Sequence, residues 1–185
     1  MLFRSDGAVE EGVFYESANF AAVKKLPVLF LCENNLYSVY TPLQIRQPAG
    51  RKIHDMVRGL GVNSIAGDGN DIEEVYGITA AAVTRIRNGE GPQFLEFYTY
   101  RHREHCGPNF DNDIGYRSEE EFQQWKNRDP ITLYEAKLLA DGVISQGDIN
   151  DIQTRIAAQV DEAFVFAESS PFPAAADAGA NIYAS

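Results

Sequence analysis

The apolar run at residues 28–32, Val-Leu-Phe-Leu-Cys, constrains the fold more than any other stretch of this chain. It follows Pro27 and shows no alternation of apolar and polar residues. This pattern predicts a strand buried on both faces, as in a parallel sheet covered by helices. A strand stub at Leu2-Phe3 and a helix over residues 9–25 precede it, so the first part of the chain predicts a βαβ unit.

The same alternation of strands and helices continues along the chain. The further predicted elements are helices at 53–60, 71–87, 119–126, 131–140 and 148–167, and strands at 62–66 and 93–98. This order predicts an α/β domain with a doubly wound, mostly parallel sheet over residues 1–140. A helical carboxyl-terminal segment at 141–170 and a Pro/Ala-rich tail at 171–185 would follow. The polar segment from 100 to 117 is predicted to be a functional loop that is mobile without ligand.

Charge and cysteine content narrow the classes of function. The chain carries 16 Lys+Arg against 27 Asp+Glu, a formal net charge of -11, which disfavours binding to nucleic acid or to an anionic membrane. Cys32 and Cys106 lie far apart in sequence, so no disulfide framework is indicated. There is no signal-peptide pattern and no apolar run of about 20 residues. We therefore expect a cytoplasmic protein, with an organelle matrix as the less favoured location.

Polar residues follow the first two predicted strands. Asp6 comes directly after the strand stub, and Asn35 follows the buried run. The carboxyl ends of parallel strands meet at one edge of a sheet, so these side chains are expected to lie close together. Carboxylate, amide and main-chain carbonyl oxygens suit Mg²⁺, and the amino end of the intervening helix favours anions. The sequence therefore predicts a divalent metal with a diphosphate.

An ordered series of motifs carries a family resemblance. Asp6-Gly7-Ala8 followed by Glu33-Asn34-Asn35 resembles the thiamine-diphosphate signature. The surrounding residues are similar to the alpha subunit of 2-oxo acid dehydrogenase first components, a family that includes pyruvate, branched-chain 2-oxo acid and acetoin dehydrogenases. The likeness covers roughly residues 3–139 and continues through Lys25-Leu26-Pro27, Gly67-Asp68-Gly69-Asn70-Asp71, Gly91-Pro92, Thr99-Tyr100-Arg101, Gly115-Tyr116-Arg117 and Asp129-Pro130.

The resemblance implies the thiamine-diphosphate-binding fold and a set of cofactor ligands. Mg²⁺ would be bound by the side-chain oxygens of Asp6 and Asn35 and by the main-chain carbonyl of Tyr37. The backbone of Gly7 and Ala8 would approach the diphosphate. By the same resemblance the chain matches the carboxyl half of such a subunit, so its sheet would be incomplete at the amino end.

The loop after residue 100 would complete the site. His105 matches the family's active-site histidine, which would contact the cofactor and act in catalysis, and Arg101 matches a neighbouring basic, cofactor-binding position. Cys106 stands where the family has a phosphorylatable serine. Ser5 stands where the family has glycine, which matters only if the backbone there has a positive φ.

The implied activity is oxidative decarboxylation of a small 2-oxo acid, with acyl transfer to a lipoyl group, using thiamine diphosphate and Mg²⁺. The implied partners are a beta subunit in an α2β2 assembly and a lipoyl acyltransferase component. The alternative is a catalytically incomplete remnant that acts only as a partner-binding or weak Mg²⁺-binding module.

Several structural explanations compete with these functional ones. Asp6 could cap the following helix, and Asn34-Asn35 could be ordinary turn residues. The cluster at 102–106, His-Arg-Glu-His-Cys, could bind zinc, although no second ligand pair is evident. The second acidic turn, at 67–69, is predicted to be a βα turn lining the crevice. We expect three further features to be structural: His54 on a helix surface, and Trp125 and the apolar stripe ending at Phe164 in packing.

Overall fold

The computed structural model describes residues 2–180, with the side chains of residues 2–4 excepted. The last part of the predicted tail, residues 181–185, lies outside the described residues. The chain divides into two compact units, with the boundary between Tyr134 and Glu135.

Six strands and seven α-helices are present among the described residues. The strands are β1 (Leu2–Ser5), β2 (Leu29–Asn34), β3 (Tyr37–Ser38), β4 (Thr41–Pro42), β5 (Asn63–Asp68) and β6 (Gln93–Tyr98). The helices are α1 (Gly12–Lys24), α2 (Leu43–Arg46), α3 (Ile53–Arg58), α4 (Ile72–Arg87), α5 (Glu119–Lys126), α6 (Pro130–Ala140) and α7 (Gln146–Ser169).

The central sheet has four parallel strands in the order β1-β2-β6-β5. Its register places Ser5 beside Glu33, Asn34 beside Tyr98, and Asp68 beside Tyr98. The carboxyl ends of all four strands therefore lie at one edge of the sheet, as the alternation of strands and helices predicts.

Helices cover both faces of this sheet, which confirms the doubly wound α/β architecture. On one face Phe30, Cys32 and Phe94 pack with residues of α1 and α3. On the other face Leu29, Leu31, Leu95 and Phe97 pack with Ala82 and its neighbours on α4. Because alternate residues of β2 enter two different cores, its sequence is continuously apolar rather than alternating.

The structure corrects three details of the first βαβ unit and its connection. A 3₁₀ turn occupies Asp6–Glu10, so α1 begins at Gly12 and not at residue 9. Strand β2 continues to Asn34, beyond the apolar run. The connection after it, for which no helix or strand is predicted before residue 53, contains the small β3–β4 hairpin and α2.

The second compact unit contains α7, which begins with a capping box between Ser145 and Asp148. Only Ile149 of its apolar stripe is buried. The prediction that the stripe serves packing is wrong for its remaining positions, because four of its side chains are 42–65% exposed: Ile152, Ile156, Val160 and Phe164. Among the described residues no helix combines the length and apolar character needed to span a membrane.

Candidate functional site

Asp6 is fully buried at the start of the 3₁₀ turn that follows β1. Its Oδ2 forms a close ion pair with the guanidinium of Arg46, whereas its Oδ1 is buried and accepts no hydrogen bond from any described residue. Arg46 also donates from Nη1 to Oε1 of Glu10 at 2.6 Å. The helix-cap explanation is wrong, because Glu11 occupies the N-cap position of α1 and no side chain caps it. The buried carboxylate therefore keeps one oxygen available for a ligand.

Gly7 lies where no side chain fits. A Cβ at this position would approach Oγ of Ser38 to 2.5 Å and its Cβ to 2.8 Å. The backbone of the turn is consequently in close contact with the β3–β4 hairpin, and Ala8, next in the turn, is half-buried. Ser5 has φ -79 and ψ 168, extended values that any residue adopts, so the absence of glycine there introduces no strain.

Two successive asparagine turns shape the end of β2. Oδ1 of Asn34 accepts a hydrogen bond from the Leu36 amide at 3.1 Å, and Oδ1 of Asn35 accepts one from the Tyr37 amide at 3.0 Å. Leu36 has a positive φ of 70, which the two side-chain bonds help to hold. The cross-strand neighbour of Tyr37 is Pro42, which has no N–H to donate to the Tyr37 carbonyl. The asparagines are thus turn residues, and this role leaves room for a further bond at each oxygen.

A cavity of about 520 Å³ opens at the same edge of the sheet. Asn35 and Arg101 both line it, together with Glu33, Thr99 and Gly69 among others. The lining includes Gly69, so the second acidic turn borders the crevice as predicted. Neither Asp6 nor His105 belongs to the described residues that line this cavity, so the structure associates Asn35 with Arg101 but not with these two.

The irregular segment after β6 is held by an internal polar network. Arg101 donates from Nη2 to the Val39 carbonyl and to the Tyr116 hydroxyl, each at 2.8 Å. Tyr116 donates to Asp111 at 2.7 Å, and buried Arg117 forms a close ion pair with the same carboxylate. Burial, and then the hydrogen bond to Asp111, raises the pKa of the Tyr116 hydroxyl. The network anchors both ends of the segment, and its mobility without ligand stays a prediction.

His105 and Cys106 are exposed in the middle of this segment. No group of three or more His, Cys, Asp or Glu side chains within residues 2–180 is placed to bind a metal ion, so the zinc explanation lacks support. Trp125 stacks on Tyr100 with ring centroids 5.6 Å apart and an interplanar angle of 8°, which confirms its packing role.

A buried polar network that was not predicted from the sequence lies next to the candidate site. Glu96, 1% exposed on β6, accepts hydrogen bonds from Nδ2 of Asn34 at 2.7 Å and from the His54 amide at 2.9 Å. Nδ1 of His54 lies 2.6 Å from Oε2 of Glu96, so the prediction that His54 lies free on a helix surface is wrong. A lone carboxylate inside the apolar strand sequence Gln-Phe-Leu-Glu-Phe-Tyr was the available signal.

The carboxylates of Glu96 and Asp6 both interact electrostatically with the buried thiol of Cys32. Burial raises the pKa of the Cys32 thiol well above its ordinary value, and the negative charges of Glu96 and Asp6 raise it further. Cys32 is therefore a neutral residue of the core. Arg46, the partner of Asp6, had no sequence signal, because it lies in a loop-like stretch without a recognisable motif.

The chain is similar in sequence to alpha subunits of known dehydrogenases. The family described as "Dehydrogenase E1 component" matches residues 1–176. The 2-oxoisovalerate dehydrogenase subunit alpha of Bacillus subtilis (strain 168) is 39% identical over 179 residues, which cover 97% of this chain and 53% of that protein. The pyruvate dehydrogenase E1 component subunit alpha of Rickettsia felis is 35% identical, over 92% of this chain and 51% of its own length. The same subunit of Zymomonas mobilis is 38% identical, over 96% of this chain and 49% of its own length. The chain thus spans about half the length of these curated relatives.

Proposed function

Because this chain belongs to the dehydrogenase E1 component family, we propose that it forms part of the alpha subunit of a 2-oxo acid dehydrogenase and binds thiamine diphosphate with Mg²⁺. The observation that carries the proposal is the buried Oδ1 of Asp6, which has no hydrogen-bond partner within residues 2–180. A buried carboxylate oxygen without a partner is costly unless a ligand or a cation satisfies it.

The donor atoms of the candidate residues suit a magnesium ion bound to a diphosphate. Asp6 and Asn35 offer side-chain oxygens, and Tyr37 offers a carbonyl that its proline neighbour cannot occupy. Mg²⁺ prefers oxygen ligands of this type and keeps further positions for phosphate oxygens. By the family resemblance the backbone of Gly7 and Ala8 would contact the diphosphate, while the space that a Gly7 side chain would take is filled by Ser38.

Arg46 gives this site a competitor for the metal. In the protein without metal its guanidinium neutralises Asp6, and it is held at the same time by Glu10 and the Thr41 carbonyl. Arg46 would keep its bonds to these two additional acceptors when the Asp6 carboxylate binds a cation. In the proposed site, the Arg46 guanidinium thus balances the negative charge of Asp6 when no metal is bound.

The reaction we assign is oxidative decarboxylation of a small 2-oxo acid, followed by acyl transfer to a lipoyl group. When bound, thiamine diphosphate supplies the carbon nucleophile and the electron sink that this chemistry needs. Arg101 borders the cavity beside Asn35 and would add positive charge near the diphosphate. His105 is exposed on the segment that follows Arg101, and we propose that it contacts the cofactor and transfers protons near neutral pH.

The proposed partners are a beta subunit, in an α2β2 assembly, and a lipoyl acyltransferase component. Support comes from the relatives, whose names describe alpha subunits of multi-subunit dehydrogenases. By family resemblance the beta subunit would provide the glutamate that activates the cofactor. The chain spans about half of each relative, so a partner-binding or weak Mg²⁺-binding role without turnover is the second candidate.

Calorimetric titration of Mg²⁺ and thiamine diphosphate into this chain, with and without a beta subunit of the same family, tests the proposal. Metal-dependent cofactor binding that Asp6→Ala abolishes would support it. A control variant, Asp151→Ala, removes an exposed carboxylate on α7 and should bind as the unchanged chain does. Cofactor binding that is independent of Mg²⁺ or of Asp6 would refute it, and binding without turnover in the assembled complex would favour the second candidate.

A further inference from the structure

Glu96 has an unusually complete set of partners for a carboxylate in the middle of a sheet. It lies on the central strand β6, and Oε1 accepts from Nδ2 of Asn34 while Oε2 accepts from the backbone and ring of His54. Charge-assisted hydrogen bonds of this kind are stronger than neutral ones and fix the orientation of both groups. Through these hydrogen bonds Glu96 therefore connects the end of β2 to the first turn of α3.

The orientation of the Asn34 amide follows from this bond. A side-chain amide has one acceptor end and one donor end. The Nδ2 end of Asn34 donates to Oε1 of Glu96 at 2.7 Å, and its Oδ1 end accepts from the Leu36 amide at 3.1 Å. Leu36 adopts a left-handed backbone, which needs such support in a residue other than glycine.

We propose that Glu96 and His54 are positioning residues for the turn from Asn34 to Tyr37, and through it for the two candidate metal ligands that this turn carries. The part that concerns the metal rests on the proposed function, whereas the part that concerns the turn does not. His54 acts by fixing the Glu96 carboxylate, and Glu96 acts by fixing the Asn34 amide. Partners behind metal ligands commonly change metal affinity by about 10–100-fold when they are removed.

Glu96→Gln tests this chain of contacts with almost no change in volume. The carboxylate accepts at both oxygens, whereas the new amide has one accepting oxygen and one donating NH₂ group. Its two neighbours, Nδ2 of Asn34 and His54, both donate, so one of the two hydrogen bonds is lost. If Asn34 rotates to relieve this conflict, its own NH₂ group faces the Leu36 amide and the turn loses its first hydrogen bond. His54→Ala is milder, since it removes the ring bond and leaves the backbone bond.

Two measurements are made on the full chain: amide hydrogen exchange at Leu36 and Tyr37 without metal, and Mn²⁺ titration followed by electron paramagnetic resonance with thiamine diphosphate present. Leu95→Ala is the matched control, because Leu95 is a buried neighbour of Glu96 that packs in the other core. It should lower global stability while leaving exchange in the turn, which opens locally, unchanged.

Glu96→Gln should accelerate exchange at Leu36 and weaken Mn²⁺ binding by about tenfold or more, and Leu95→Ala should do neither. If Glu96→Gln does not fold, His54→Ala decides: it should still change both measurements more than Leu95→Ala does. Unchanged exchange at Leu36 in a folded variant would overturn the inference. Absence of Mn²⁺ binding by the unchanged chain would instead count against the proposed function, and the exchange result would still decide the positioning role.

Discussion

Replacement of Arg46 by methionine is the most informative single perturbation of the candidate site. It removes the cation from a carboxylate that is fully buried, and the Arg46 side chain itself is only 10% exposed. Breaking a buried ion pair by deleting one partner costs about 3–5 kcal/mol, because the remaining charge is left without compensation. We expect the metal-free variant to lose this much free energy of unfolding.

The expected change is large enough for a thermal unfolding experiment. For a chain of this size, about 1 kcal/mol corresponds to about 2–4 °C, so the melting temperature should fall by about 6–20 °C. Arg58→Met is the control, since Arg58 forms an ion pair with Asp55 on the surface, where both side chains are more than half exposed. Such a pair contributes less than about 1 kcal/mol.

Addition of Mg²⁺ distinguishes a metal site from a merely structural ion pair. A ligand at about 100 times its Kd stabilises the folded state by about 2.7 kcal/mol, and a tenfold gain in affinity adds about 1.4 kcal/mol. Without the competing guanidinium, Arg46→Met should bind Mg²⁺ more tightly and recover more stability than the unchanged chain does. Equal stabilisation of both proteins by Mg²⁺, or none of either, would refute the reasoning that Asp6 holds the metal.

Four further outcomes are expected. Asp6→Ala should abolish Mg²⁺-dependent cofactor binding in calorimetry without unfolding the chain, because Arg46 keeps Glu10 as a partner; global unfolding would contradict this. In the complete complex, His105→Ala should lower acyl transfer far more than the melting temperature, because the residue is exposed; equal losses would point to a structural role. Limited proteolysis should cut first at residues 101–116 and be slowed by cofactor with partner; equal rates would argue against a gating loop. Burial, and then Glu96, raises the pKa of Tyr98 from about 10 to about 12, so stability should fall as pH rises across that interval, and less in Tyr98→Phe; identical pH profiles would contradict the assignment.

The chain without its partners should not decarboxylate a 2-oxo acid at a useful rate. Closed, preorganised electrostatic sites account for most of enzymatic rate enhancement, and by family resemblance part of this site belongs to the beta subunit. An assay with thiamine diphosphate, Mg²⁺, pyruvate or branched 2-oxo acids and an artificial electron acceptor measures this directly. Sustained turnover by the single chain would contradict the proposed division of roles.

The strands and helices around the sheet were predicted well because each is indicated by a short stretch of neighbouring residues. The apolar run at 28–32 and the strand at 93–98 are buried on both faces, and helical spacing located α4 and α5 to within a residue. The start of α1 was misplaced because periodicity does not distinguish a 3₁₀ turn from the first turn of an α-helix. The β3–β4 hairpin was missed because its strands have two residues each, which is too short for any alternation.

The exposed stripe of α7 shows a different limit of sequence reasoning. Spacing along a helix states which residues share a face, but not whether anything covers that face. Ile152 and Phe164 keep the predicted spacing and are nevertheless 42% and 65% exposed. Amphipathic sequence therefore predicted the helix correctly and its packing incorrectly.

Two buried carboxylates at one edge of the sheet show what the sequence alone could not distinguish. Asp6 and Glu96 are equally inaccessible, at 0% and 1% exposure, and both act on the same cysteine. Both oxygens of Glu96 are satisfied by protein donors, which is the condition of a structural carboxylate. Asp6 has one oxygen paired with the Arg46 guanidinium and the other without a hydrogen-bond partner among the described residues, which supports the proposal that it binds a cation. The hydrogen bonds of the two acids therefore support different proposed roles: Glu96 positions the turn that carries Asn35, and Asp6 binds the metal.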